Sequence, residues 1–273
     1  RIRRAPRLAA LVSPMIRLKQ TCIVSALAVL LLYGGLIGSL AWFLDGTTLW
    51  ATLLSERTLF SVKLSLLAAT IATVLALTLA IPAAYALSRF RFSGKEAVET
   101  VLEFPIIVSP AALGAIILIF FSNPLGEWLQ TNIMYFVFTF AGIVLAQFIA
   151  ILGLATRMLK TAFDEVPVAL ETVGRTLGGS PRHVFFTVTL PLARRGLIAA
   201  FVLTWAKALG EFGATLMVAG SMAMRTETLP IAIFLRLSTA DIEGTVALII
   251  VLVGIGLSAL YLSRRLLSRG LHV

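Results

Sequence analysis

Six stretches of this chain are long and apolar enough to cross a bilayer: about Cys22 to Phe43, Ser61 to Ser88, Phe104 to Phe121, Ile133 to Thr156, Gly196 to Val218 and Gly244 to Leu262. A helix needs roughly 20 residues at 1.5 Å each to span about 30 Å of hydrocarbon. Lipid offers no partner to backbone amides, so spanning segments of this length are helices. The predicted fold class is all-α, a polytopic membrane protein with six transmembrane helices. Composition supports this: 13% of residues are charged and 59% hydrophobic, whereas soluble domains carry about a quarter charged residues. Ahead of the third span, Glu96, Glu99 and Glu103 form an amphipathic turn, and Pro105 and Pro110 predict an irregular or kinked start.

Charge sets the expected orientation, because short cytoplasmic segments collect Lys and Arg. Arg1, Arg3, Arg4, Arg7, Arg17 and Lys19 precede the first span. Arg89, Arg91 and Lys95 follow the second, and Arg157, Lys160, Arg175, Arg182, Arg194 and Arg195 lie between the fourth and fifth. Arg264, Arg265 and Arg269 follow the sixth. Those eighteen face only Arg57, Lys63, Arg225 and Arg236 on the other side, which places both termini in the cytoplasm. A net charge of +10 could serve nucleic-acid binding, but that needs the basic residues on one exposed face. Here they punctuate apolar runs, so the expected surroundings are membrane lipid and no nucleic acid. The expected location is the plasma membrane.

The basic start and the uncharged run from Thr21 to Leu44 resemble a secretory signal. A cleavable apolar core is about 7 to 15 residues; this run is longer and reads as a retained helix. Cys22, His183 and His272 supply neither a disulfide framework nor a His/Cys metal site. The resulting division is a basic cytoplasmic segment 1–20, a first span 21–44, a transmembrane unit 58–262 with a cytoplasmic loop 157–195, and a cytoplasmic end 263–273.

That loop is patterned. Val166, Leu170, Val173 and Leu177 make one apolar face of a short helix opened by Pro167, with Glu171 and Arg175 spaced as an i,i+4 pair on the other face. Gly178 and Gly179 stop it, and Ser180-Pro181 starts a second helix that Leu190-Pro191 ends. The stretch Leu170 to Pro191, LETVGRTLGGSPRHVFFTVTLP, resembles the coupling loop of binding-protein-dependent ATP-binding-cassette permeases. The family pattern is Glu-Ala-Ala, three residues, Gly, nine residues, Ile, any residue, Leu-Pro. Gly178, Val188, Leu190 and Pro191 match; Thr172, Val173 and Gly174 stand at the acidic-Ala-Ala positions, and Glu171 comes one residue early.

The resemblance implies the type I importer permease fold, and a coupling role for Glu171, Thr172, Gly174, Gly178, Gly179, Ser180, Pro181, Arg182, Leu190 and Pro191 against an ATPase subunit. The chain contains no G-x-x-x-x-G-K-[ST] phosphate loop. ATP and Mg are therefore expected on that partner, with no cofactor and no catalytic group on this chain.

In the fifth span Thr204, Lys207, Glu211 and Thr215 fall at i, i+3, i+7 and i+11, a polar face inside the membrane. A charge at the centre of a span costs about 2.5 to 3.5 kcal/mol on insertion scales, so these groups should face protein or water. Two readings stand side by side: a translocation pathway in which Lys207 draws an anion, or a self-neutralised pair that fixes packing. Gly210 and Gly213 would admit a neighbouring helix closely.

Ala208 to Gly220, ALGEFGATLMVAG, followed by Arg225-Thr226-Glu227-Thr228-Leu229-Pro230, resembles molybdate/tungstate permeases, as does Pro124 to Leu129. Sulfate permeases share Gly-Glu-Phe-Gly but continue differently. The likeness covers about Thr58 to Leu262. It implies import of an oxyanion by alternating access, with a second copy of the permease, two ATPase subunits and an extracytoplasmic oxyanion-binding protein. The alternatives are a sulfate permease of the same family, or an ion-coupled secondary transporter with Lys207 and Glu211 as relay residues. An intramembrane enzyme is disfavoured, because no Asp pair, His cluster or Ser/His arrangement lies at membrane depth.

Overall fold

The computed structural model describes residues 5–43 and 46–268. Arg1, Arg3, Arg4, Leu44, Arg269 and His272, which enter the reading of the termini and the first span, lie outside those residues. Among the described residues every regular element is helical. In chain order these are α1 (Ala5–Ser39), continued by a 3-10 turn (Leu40–Phe43), α2 (Gly46–Leu53), α3 (Glu56–Arg89), α4 (Lys95–Ile107) and α5 (Pro110–Phe121). Then come α6 (Pro124–Asn132), α7 (Phe140–Asp164), α8 (Val168–Thr176), α9 (Pro181–Val184), α10 (Leu190–Leu209), α11 (Gly213–Ala219), α12 (Leu229–Ser238) and α13 (Ile242–Ser268).

Among the described residues five spans are long and apolar enough to cross a membrane, one of them the continuous run Pro181–Leu209, and the pair α4 and α5 makes a sixth bent by 112°. The expected third span is thus broken. Helix α4 runs through Pro105, but the residue before a proline is pushed out of the helical region. Ser109, preceding Pro110, is extended at φ −62°, ψ 146°, and its hydroxyl caps α5 by accepting from the Ala112 amide at 3.3 Å. The fourth span starts later than Ile133. Phe138 adopts φ 58° and Thr139 caps α7 at Gly142, after which the helix runs on to Asp164.

The core lies where α3 meets α7 and α10, with Ala219 of α11 joining it. Helix α3 presents Ala68, Ala72, Ala76, Ala80 and Ala84 at four-residue spacing, each without exposed surface. Small side chains let backbones approach closely where lipid supplies no hydrophobic drive for association. Helix α1 differs: from Leu18 to Ser39 none of its residues is buried.

Candidate functional site

Between α7 and α10 the loop folds as two helical elements separated by a turn, where its glycines and caps place the break. Helix α8 starts after Pro167 and ends at Leu177. Gly178 then takes φ 87°, the left-handed region where a Cβ is strained, although nothing lies within 4 Å of where that Cβ would stand. The Gly179 amide donates to the Gly174 carbonyl at 3.1 Å, closing the turn. Ser180 accepts from the His183 amide at 3.2 Å and Pro181 occupies the first helical position. Thr172 and Arg182 are exposed.

Leu190-Pro191 does not end the second helix. Residues Phe185–Thr189 form a π-helical turn, with the Leu190 amide bonded to the Phe185 carbonyl, and α10 continues beyond it. Proline at 191 lacks an amide, and its ring would strike the carbonyl four residues back. A wider turn moves that carbonyl aside and lets the helix pass.

Glu171 also departs from expectation. Instead of pairing with Arg175 on an exposed face, it is 2% exposed and accepts from Arg89 Nε at 2.9 Å, from Thr189 at 2.9 Å and from Tyr85 at 3.3 Å. Arg89 Nη2 donates to the Val166 carbonyl at 2.8 Å. A buried carboxylate requires this density of donors. The result ties the end of α3, residue 166, α8 and the π-turn into one body. Of the apolar face predicted for α8, only Val166 is buried; Leu170, Val173 and Leu177 are exposed.

The second candidate cluster is split by a break in the expected fifth span. Helix α10 ends at Leu209, with Gly210 as its cap, and α11 begins at Gly213. Glu211 stands in the gap, 2% exposed; its Oε1 accepts from the Ala214 amide at 3.1 Å, and Oε2 lies 3.5 Å from Lys207 Nζ. The pair predicted between them exists, but it is lopsided, because the Lys207 side chain is 49% exposed. Thr204 and Thr215 are both buried, so the four residues do not form one continuous polar face. Thr204 donates to the Ala200 carbonyl one turn back, whereas the Thr215 hydroxyl has no partner.

Gly213 does admit a neighbour. A Cβ there would stand 2.9 Å from Pro110 Cβ and from the Ala111 amide, which packs the start of α11 on the start of α5. Gly210 does not, because its nearest atoms are carbonyls of its own helix.

Residues 72–273 match the family described as the binding-protein-dependent transport system inner membrane component. The chain belongs to this family.

The permease is 33% identical over 193 residues to the molybdenum transport system permease protein ModB of Haemophilus influenzae, covering 68% of this chain and 83% of that one. With ModB of Azotobacter vinelandii it shares 35% over 221 residues, covering 78% and 96%. The sulfate transport system permease protein CysW of Synechococcus elongatus is 31% identical over 192 residues, covering 69% and 67%. A bacterial importer of the acidic polysaccharide alginate shares the fold at TM-score 0.70 and 19% identity, covering 95% of the permease and 99% of that chain. The permease is a multi-pass component of the inner membrane and a transport subunit.

Sequence reasoning missed three features of this permease. Arg89 lies 82 positions from Glu171, and no spacing rule reaches that far. Arg57 donates to Glu227 at 2.9 Å, a carboxylate that is 2% exposed, across 170 positions. Ser65 accepts from the Leu229 amide at 2.7 Å, fixing the start of α12 on α3. Glu227 stands in the buried run Thr226 to Leu229, whereas the neighbours of Glu171, Leu170 and Thr172, are exposed and give no hint.

Proposed function

We propose that the permease imports molybdate or tungstate by alternating access. It works as a pair of identical subunits with two ATP-binding-cassette ATPases below and an oxyanion-binding protein outside. The observation that carries the substrate is the 33 to 35% identity to permeases named for molybdenum transport, over 83 to 96% of their length. The loop supports the mechanical part. An ATPase would grip the exposed Leu170, Val173 and Leu177 face, and the Glu171–Arg89 bond would carry its movement into α3. Thr172, Gly174, Gly178, Gly179, Ser180 and Pro181 shape that grip, while Leu190 and Pro191 pass the motion into α10.

At membrane depth, half-exposed Lys207 supplies positive charge to a dianion, and Glu211 holds it in place while capping α11. Both termini and the loop 157–195 face the cytoplasm in this reading, following the charge asymmetry. The sulfate reading has the CysW similarity in its favour, so the decisive experiment compares anions. The complex is reconstituted in proteoliposomes with its ATPase and binding protein, and ATP hydrolysis and uptake are followed. Molybdate and tungstate should stimulate both activities, and sulfate neither. Stimulation by sulfate alone assigns a sulfate permease. Uptake that survives removal of the ATPase and follows an ion gradient sinks the ATP-driven reading.

A further inference from the structure

Glu171 is committed to Arg89, so Arg175 keeps no acidic partner and lies against the Tyr85 hydroxyl instead, and among the described residues neither Arg175 nor Arg182 forms an ion pair. Both line a cavity of about 700 Å³ between α3 and the start of the second loop helix. Its remaining walls are mainly apolar, with Ile81, Pro82, Phe185, Phe186 and Leu190 among them, and it reaches up α3 as far as Thr78. Thr78 lies eleven residues before Arg89, about 16 Å along the helix axis. The cavity is therefore a greasy slot running into the membrane from a cationic mouth.

We propose that this slot binds an anionic phospholipid, with the headgroup phosphate between Arg175 and Arg182 and an acyl chain along α3. Basic pockets at the ends of spanning helices recognise anionic headgroups in this way, and interfacial aromatic residues such as Tyr85 and Phe90 suit that depth. A compact hydrated oxyanion would gain nothing from the apolar walls, and an ATPase subunit, which stays outside the lipid, could cover only the mouth. Charge complementarity at one end and hydrocarbon contact along the rest match a lipid and neither alternative. The proposal does not depend on which oxyanion is transported.

The test uses the purified permease–ATPase complex in detergent, supplied with phosphatidylglycerol or phosphatidylcholine, with bound lipid counted by native mass spectrometry. The parent should retain phosphatidylglycerol preferentially, and 1 mM molybdate should not displace it. At roughly 1 kcal/mol per basic residue, R175Q/R182Q should bind phosphatidylglycerol about thirtyfold more weakly. R91Q/R194Q, which removes the same charge elsewhere, should bind like the parent. R175K/R182K should keep most of the preference, and it answers the question if the Gln variant fails to assemble. Equal retention of the two lipids by the parent overturns the proposal. Displacement by molybdate reassigns the slot to cargo. Loss of the ATPase from R175Q/R182Q with lipid binding unchanged reassigns the arginines to a protein interface.

Discussion

Replacing Glu171 with Gln keeps its shape and its hydroxyl donors but leaves the Arg89 guanidinium charged, 7% exposed and without a counter-ion. Breaking a buried ion pair by removing one partner costs about 3 to 5 kcal/mol. A domain somewhat smaller than this one loses roughly 2 to 4 °C of Tm per kcal/mol. Glu171→Gln should therefore lower the unfolding midpoint of the detergent-solubilised complex by roughly 6 °C or more. Arg89→Met should be at least as damaging, because the Val166 carbonyl also loses its donor. The double variant buries no unpaired charge and should melt above both single variants. It should stay below the parent, because the Val166 carbonyl remains unserved. Thermal unfolding followed by intrinsic fluorescence and by loss of the ATPase measures all four proteins as a cycle. Single variants melting within about 2 °C of the parent, or a double variant showing the sum of the two losses, would refute the claim that this pair fastens the loop to α3.

Gly178→Val should reduce ATPase co-purification or uncouple hydrolysis from uptake. Its φ of 87° costs a β-branched residue roughly 1 to 3 kcal/mol while no neighbour is displaced, and Gly178→Asn, which tolerates that region, should be milder. Glu211→Leu removes the cap of α11 and should lower folded yield, at about 1 kcal/mol for a lost cap. Glu211→Gln keeps that cap and should spare the yield. Lys207→Met, at a half-exposed side chain, should lower uptake far more than yield; unchanged uptake would remove Lys207 from the pathway. With Cys22→Ser as background, single cysteines at Ser180 and Ser122 should label from opposite sides of the membrane. Labelling of both from outside would invert the topology.

The spans were legible because hydropathy over 20 residues is a strong, local signal, and so were the loop's stops and starts, where Gly178 and Ser180-Pro181 act on their own backbone. What failed was non-local or depended on context. The Glu171–Arg175 spacing is correct for an isolated helix, but α8 rests on the membrane unit, where Arg89 offers a buried and better-placed partner. Leu190-Pro191 reads as a stop because a proline ends an ordinary α-helix; a π-turn that re-spaces the carbonyls is invisible to residue counting. The i, i+3, i+7, i+11 face assumed a helix without interruption. Gly210-Glu211-Phe212 breaks it, and the Glu211 carboxylate restarts the chain as α11 by serving as its cap. Of the two candidate sites, the loop was therefore readable in outline and the charge pair only as a pair.

The row of alanines along α3 has a consequence for how the chain can change over time. At Ala68, Ala72, Ala76, Ala80 and Ala84 every replacement except glycine adds volume to a position with no exposed surface. Overfilling a packed interior costs typically 1 to 3 kcal/mol, and glycine in mid-helix costs roughly 0.5 to 1 kcal/mol. Drift at these sites is thus confined from both directions, while the exposed Leu67, Leu75 and Leu79 on the same helix are freer to exchange among apolar types. Related chains should diverge along the outer stripe of α3 and hold small residues on the inner one, and an enlargement inside should survive only where the facing residue of α7 has shrunk to receive it.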